Sequence, residues 1–467
     1  MTAFAVPAPA SLGRHLSRTV ELALPIIMAR AALIVMFTVD TVMVGRAGSE
    51  QLAFFGLGVA PQLTLMMIAV GALQATAVLV AQAAGAGAPE RAGAVLRTAV
   101  LHALALGVAV LLLSQFARAL FLAIGHPPEL AAGAGTVSVM FGLGLPGTLL
   151  FIACNLFMEA TGRPKTGMAI MLVANMLNIP LNGVLGLGWG DLVAPMGAEG
   201  VMLASSILRT AAGIFIAALL VRQARRADGF RILSGDAGRS MLAEALSGEP
   251  ARRLRRLGLP MGLAQGTESA AFATVVMMAG LIGTVELAAY QTVMTLVTLA
   301  FMMAIGTGGA TAIRVGHAVG EGHRENARRA GFAGIALGAL WPVPVSVAFL
   351  LVPDRVAALI TEDPATIAAA AAALQVAAFM LSADAAMAVT IGALRGLGDV
   401  WWPTALQICA FWLVAIPIAW AGGLYLQLGA GGLIGGLMAG VFVSLAGLLP
   451  RFSRQVGARA LSPGGAG

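Results

Sequence analysis

The chain has 467 residues, of which 59% are hydrophobic and only 10% are charged, whereas a soluble globular chain carries roughly 25% charged residues. Such a composition excludes a surface solvated by water and predicts an integral membrane protein. The net charge of +7 would suggest nucleic acid in a soluble chain, but here it is read as loop residues that fix orientation in the bilayer.

A spanning helix needs about 20 mostly apolar residues. The first apolar run starts near Leu22 and is too long for the core of a signal peptide. In chain order, spans are predicted near residues 22–45, 52–82, 97–122, 131–158, 166–189, 198–221, 257–280, 287–316, 331–352, 366–394, 401–423 and 430–450. The expected fold class is therefore an all-α membrane protein of about twelve helices. Basic residues fall at the N-terminus and in every second connection: Arg14 and Arg18, Arg91 and Arg97, Arg163 and Lys165, the stretch from Arg222 to Arg256, Arg324 with Arg328 and Arg329, Arg395, and Arg451, Arg454 and Arg459. The opposite loops offer only Arg46, Arg118 and Arg355. This asymmetry predicts that both termini are cytoplasmic and that the number of spans is even.

Residues 22–92 match residues 257–327 without gaps, at an offset of 235. Leu24-Pro25 falls on Leu259-Pro260, Gly45 and Gly48 on Gly280 and Gly283, Leu52-Ala53 on Leu287-Ala288, and Gly71, Ala75, Thr76 and Gly85 on Gly306, Ala310, Thr311 and Gly320. Apolar bias alone would not align so many glycines and prolines. The match continues more loosely, Ile179-Pro180 with Ile416-Pro417 and Gly197-Ala198 with Gly429-Ala430. Two parallel six-helix lobes around a central cavity are expected, as in secondary transporters whose halves rock about a central site. The expected boundaries are 1–224 for the N-terminal lobe, 225–255 for a cytoplasmic linker, 256–450 for the C-terminal lobe and 451–467 for a cytoplasmic tail. Within the linker, MLAEAL suggests a short amphipathic helix.

Few ionisable residues lie within the spans: Arg30, Asp40, Arg209, Glu268, Arg314 and Asp384. Each costs roughly 2.5–3.5 kcal/mol at a helix centre, which makes it a functional candidate. Counting about 1.5 Å per residue, Glu268 and Asp384 both lie roughly 15 Å from the cytoplasmic side, where two carboxyls can share a proton or small cation. Asp40 comes out at about 27 Å, and Asn182 and Ser205 at about 24 Å, with Asn178 one turn from Asn182. These four groups predict a second polar site, suited to protons or sodium. Arg30 and Arg209 are expected to be structural, neutralising carboxylates or snorkelling, and Glu159, at a helix end, to be solvated. No G-x-x-x-x-G-K-[ST] occurs, so nucleotide hydrolysis is not expected to drive the protein. No H-E-x-x-H or Ser/His constellation suggests an enzyme. Cys154 and Cys409 lie in apolar runs, where neither a disulfide framework nor a metal site is expected.

Several segments together resemble the MATE family of multidrug and toxic compound extrusion transporters, and most closely its NorM-like bacterial branch: LALPIIMARAALIVMFTVDTVMVG, VAQAAGAGAPERA, ANMLNIPLN, LGLPMGLAQGTESAAFATVV, IRVGHAVGEGHRENARRA and IGALRGLGDV. The resemblance runs over nearly the whole chain. It implies a two-lobed, twelve-helix fold that alternates between outward and inward openings. It implies export of lipophilic, often cationic drugs or metabolites against entry of H+ or Na+, with no other cofactor, by a monomer in the bacterial inner membrane. Asp40 matches the acid of the family's first helix, Asn178, Asn182 and Ser205 its N-lobe polar cluster, and Glu268 and Asp384 the two acids of its C-lobe cation site. Gln291 matches the glutamine of the eighth helix and, with Thr295 and Met380, is expected at the substrate cavity. Met380 and Thr295 stand where the family often has tyrosine and asparagine, and Arg30 where it often has a neutral polar residue. Those lost oxygen ligands favour a proton over sodium as the coupling ion. A flippase for a lipid-linked precursor, which would need a cationic cavity, is the alternative reading.

Overall fold

The computed structural model describes residues 12–190, 193–233, 243 and 246–457. The MLAEAL segment and the last part of the expected tail, Arg459 included, lie wholly or mostly outside them. Among the described residues, regular structure is helical apart from an isolated bridge between Trp189 and Val193. The helices are α1 (Leu12–Ala47), α2 (Ser49–Leu73), α3 (Ala75–Gly85), α4 (Pro89–Ser114), α5 (Ala117–Ile124), α6 (Pro128–Ala160), α7 (Pro164–Asn182) and α8 (Gly197–Arg226). After the linker come α9 (Glu249–Ile282), α10 (Thr284–Gly320), α11 (Arg324–Leu340), α12 (Val343–Leu351), α13 (Pro353–Ala357), α14 (Pro364–Gly396), α15 (Trp401–Cys409), α16 (Ile416–Trp420) and α17 (Gly429–Gly457).

Eleven helices or helix pairs are long and apolar enough to cross a membrane. The sequence predicts about twelve spans; the one outside this set is α9, of 34 residues. Its length, about 51 Å at 1.5 Å per residue, is ample. Its hydropathy is diluted by Gln265, Thr267, Glu268 and Ser269, which carry one of the expected sites. Large apolar side chains such as Leu113, Met176, Phe215, Met277, Leu351 and Leu413 stand exposed on the helices, as lipid-facing residues do.

The chain divides into two compact units, residues 28–84 with 88–262, and residues 263–467 with 1–27 and 85–87. In the first unit α6 is the central helix, packed on α2, α4, α5, α7 and α8. In the second the same place is taken by α14, packed on α10, α11, α12, α13 and α17. The repeat extends to the backbone of the turns. Gly48, Gly87, Gly162 and Gly197 all have positive φ, and so do their counterparts Gly283, Gly322, Gly398 and Gly429. A side chain at these left-handed positions would be strained, so glycine recurs in both halves.

Each half also carries a widened π-helical segment after its repeated Ile-Pro pair: Gly183–Leu187 follows Pro180, and Ala421–Tyr425 follows Pro417. A third, Ala410–Ala415, directly follows α15. Proline removes one backbone donor from the helical ladder, and an extra residue per turn is one way the chain absorbs the mismatch.

Candidate functional site

Asp40, on α1, is completely buried. Helix α7 places Asn178 and Asn182 one turn apart on one face, and α8 does the same for Ser205 and Arg209. Asn182 Nδ2 donates to Asp40 Oδ1 at 2.7 Å and Asn178 Nδ2 to the same oxygen at 3.1 Å. The Ser205 hydroxyl lies 2.7 Å from both carboxylate oxygens and accepts from Asn178 Nδ2 at 2.8 Å. The structure thus brings together all four residues expected at this site. It adds Arg209, whose Nη2 stands 3.7 Å from Asp40 Oδ2. That side chain is itself buried, with its guanidinium 5.7 Å over the ring of Phe141 and its Nε 3.5 Å from Met36 Sδ. Its spacing of four from Ser205 puts Arg209 on the same face of α8, but its pairing with Asp40 depends on how that helix is rotated.

The donor set decides which cation suits this cluster. Sodium, a hard cation, is held by several oxygen lone pairs. Here both carboxylate oxygens face donors, and the amide oxygen of Asn178 accepts from Asn182 Nδ2 at 3.2 Å. The counter-charge is already supplied by a guanidinium. A second cation beside it would meet a repulsion of about 4 kcal/mol at ~4 Å and an effective dielectric of ~20.

The second expected site lies in the other unit. Glu268 on α9 and Asp384 on α14 are both partly buried and belong to the same unit. Gln407 on α15, buried, donates its Nε2 to Glu268 Oε2 at 3.0 Å, and Arg395 on α14 attracts the same carboxylate. One turn of chain beyond Gln407, Trp412 Nε1 donates to the carbonyl of Thr267 at 3.2 Å. The sequence reading found the two acids and missed Gln407 and Arg395. The first is a single glutamine in an apolar run, and the second was counted as a loop charge.

Of the residues expected at the substrate cavity, Gln291 and Thr295 are exposed one turn apart on α10, and Thr295 Oγ1 donates to the Gln291 carbonyl at 2.8 Å. Met380 is corrected: it is 3% exposed and packed in the hydrophobic core of its unit, where its flexible thioether fills space. Glu159 is corrected as well. It is 2% exposed rather than solvated, accepts from Asn155 Nδ2 at 2.6 Å and is attracted by Arg30. Among the described residues, no group of three or more His, Cys, Asp or Glu is placed to hold a metal ion.

A repeated bundle of membrane-spanning helices that holds carboxylates in its interior is the architecture of a secondary transporter. The chain belongs to the MATE family, a family of ion-coupled transporters rather than enzymes: the family described as MatE matches residues 25–184 and 260–421. The two matched stretches start at Pro25 and Pro260, the same position of the repeat. The chain is 32% identical to the "Probable multidrug resistance protein NorM" of Caulobacter vibrioides, over 92% of this chain and 90% of that one. It is 33% identical to the protein of the same description from Rhodopseudomonas palustris, over 96% and 94%. Among solved structures, one described as the outward-facing conformation of a multidrug resistance MATE family transporter of the MOP superfamily superposes with a TM-score of 0.83 at 21% identity, covering 97% of this chain and 100% of that one. The chain is therefore a multi-pass membrane protein with bacterial relatives.

Proposed function

We propose that this chain exports lipophilic, often cationic small molecules across the bacterial inner membrane in exchange for protons, by alternating access of two six-helix lobes. The observation that carries the reading is Asp40, a carboxylate with no exposed surface, held by three uncharged donors inside apolar helices. Burying a charge there is costly and gives nothing to packing that an apolar residue would not give. Loading and unloading of a proton is a use that repays it. The Arg209 guanidinium at 3.7 Å is beyond hydrogen-bond distance of Asp40, so the pair is loose enough for a proton to replace it. Glu268 and Asp384, with Gln407 as a donor, form a second proton-binding group in the C-terminal unit.

In this cycle substrate enters from the cytoplasm or inner leaflet. A proton from outside neutralises an interior carboxylate, weakens its attraction for a cationic substrate and changes the helix packing around it. Substrate leaves outward, and the proton is released inside. One charge crossing 100 mV supplies about 2.3 kcal/mol, more than tenfold in concentration. Gln291 and Thr295 are the residues we assign to substrate contact. Both termini are cytoplasmic, and the working unit is a monomer divided at residues 224 and 256. The flippase reading has less support, because Arg209 stands against the Asp40 carboxylate and not in an open anion site.

The test is dye efflux from vesicles under separately imposed gradients. A pH gradient, acid on the side that receives the dye, is expected to drive export; a sodium gradient at clamped pH is not. Efflux that follows sodium alone would overturn the proton assignment, and transfer of a labelled lipid without dye transport would favour the flippase.

A further inference from the structure

The guanidinium of Arg209 is the one feature of the N-terminal cluster that a cation-loading site does not need. A site that exchanges a free cation needs a carboxylate, neutral oxygens and a vacancy between them. Here α8 puts a fixed positive charge 3.7 Å from Asp40 Oδ2, and two other groups hold it in place. Phe141, on α6, offers its ring face at 5.7 Å, Met36, on α1, its sulfur at 3.5 Å, and the residue is buried among them. The aromatic face stabilises the cation independently of Asp40, so the guanidinium stays in the cluster whichever charge state the acid adopts. The remaining partners of Asp40 are Asn178, Asn182 and Ser205, all uncharged and all acting as donors.

We infer that Arg209 is the ion-specificity determinant of the N-terminal cluster: it is a tethered cation standing in the place of a sodium ion beside Asp40, and it excludes sodium from that site. The inference rests on the reading of Asp40 as a coupling acid. A proton bonds to one carboxylate oxygen and needs no coordination sphere. A sodium ion needs the space and the oxygen lone pairs that the guanidinium and the amide donors have taken.

The experiment reads the Asp40-dependent effect of sodium on thermal unfolding of the purified full-length protein, with potassium as the control at equal ionic strength. Each protein is compared with its own D40N derivative, so that sodium bound elsewhere, at Glu268 and Asp384 for example, cancels. The wild type is expected to show no Asp40-dependent sodium shift. Arg209→Met keeps the length and apolar contact of the stem and removes the charge. It is expected to gain sodium-dependent stabilisation, with Asp40-dependent affinity at least about tenfold above wild type. Arg209→Gln is the second variant, should the buried carboxylate left by Met prevent folding. An Asp40-dependent sodium shift in the wild type overturns the inference, whether or not either variant folds. So does a folded Arg209 variant that remains indifferent to sodium. Failure of the proton-exchange reading would be seen separately, as wild-type vesicles that do not respond to a pH gradient.

Discussion

Gln51 and Glu286 occupy the same position of the two repeats, and each accepts the backbone N–H that opens the last helix of its half: Ala198 N at 2.9 Å for Gln51 Oε1, Ala430 N at 2.6 Å for Glu286 Oε2. The glycines just before, Gly197 and Gly429, share φ values of +59° and +58°. A side chain from the start of one helix thus caps the N-terminus of another, through the same turn in both halves. The function of this contact is to satisfy a donor that a helix start otherwise leaves unpaired.

Because glutamine already does this work in the N-terminal half, Glu286→Gln is expected to leave thermal stability nearly unchanged. Glu286→Ala removes the acceptor and is expected to cost about 1–2 kcal/mol, as for loss of a helix cap. Unfolding curves of the two variants, measured in detergent, check the difference. Equal loss in both would mean that the charge of Glu286, not its hydrogen bond, holds the helix.

Gly308 and Gly392 let α10 and α14 touch at the backbone. A Cβ at Gly392 would lie 2.4 Å from the Gly308 carbonyl oxygen, whereas one at Gly309 would meet nothing closer than 3.8 Å. Gly392→Ala must push the two helices apart and is expected to destabilise by about 1–3 kcal/mol. Gly309→Ala is expected to be neutral or slightly stabilising, since alanine favours the helix by up to about 1 kcal/mol. Thermal unfolding of the pair is the check, and a neutral Gly392→Ala would contradict the packing described.

Asp363 caps α14 from outside the membrane-spanning segment. It accepts from the Thr366 hydroxyl at 2.6 Å and the Thr366 backbone N–H at 2.9 Å, and these bonds hold its carboxyl below the ordinary aspartate range. A carboxyl depressed in the folded state stabilises the fold above its unfolded pKa, and that contribution is lost as pH falls through the folded value. Stability is therefore expected to drop between mildly acidic pH and strongly acidic pH, and Asp363→Asn to flatten that part of the profile. An unchanged profile in Asp363→Asn would remove Asp363 from the pH dependence.

The repeat, its turn glycines and the Asp40 cluster were legible in the sequence because each leaves a regular trace. Glycine and proline recur at a fixed offset, and polar residues recur four apart in helices that are otherwise apolar. The repeat does not say where the acids sit. The counterparts of Asp40, Asn178 and Asn182 in the second half are Val275, Ala415 and Ala419, so the second half does not carry that cluster. Contacts between helices leave no such trace. Arg209 against Asp40 and Gln407 against Glu268 both depend on helix rotation, which only packing sets. Glu159 was misread because MEATGRPK looks like a wet helix end, while its carboxylate is buried and accepts from the Asn155 amide one turn back on the same helix. Met380 was placed by resemblance at a cavity, and core packing claimed it instead.

The central claim is that the carboxylates inside these helices are the engine of transport. Dye flux into proteoliposomes after an imposed pH jump tests it most directly, for wild type, Asp40→Asn and Glu268→Gln reconstituted at equal amounts. The expected result is gradient-driven flux in the wild type and a loss of at least about tenfold in each variant, equivalent to about 1.4 kcal/mol of coupling. Wild-type flux in both variants would contradict the account.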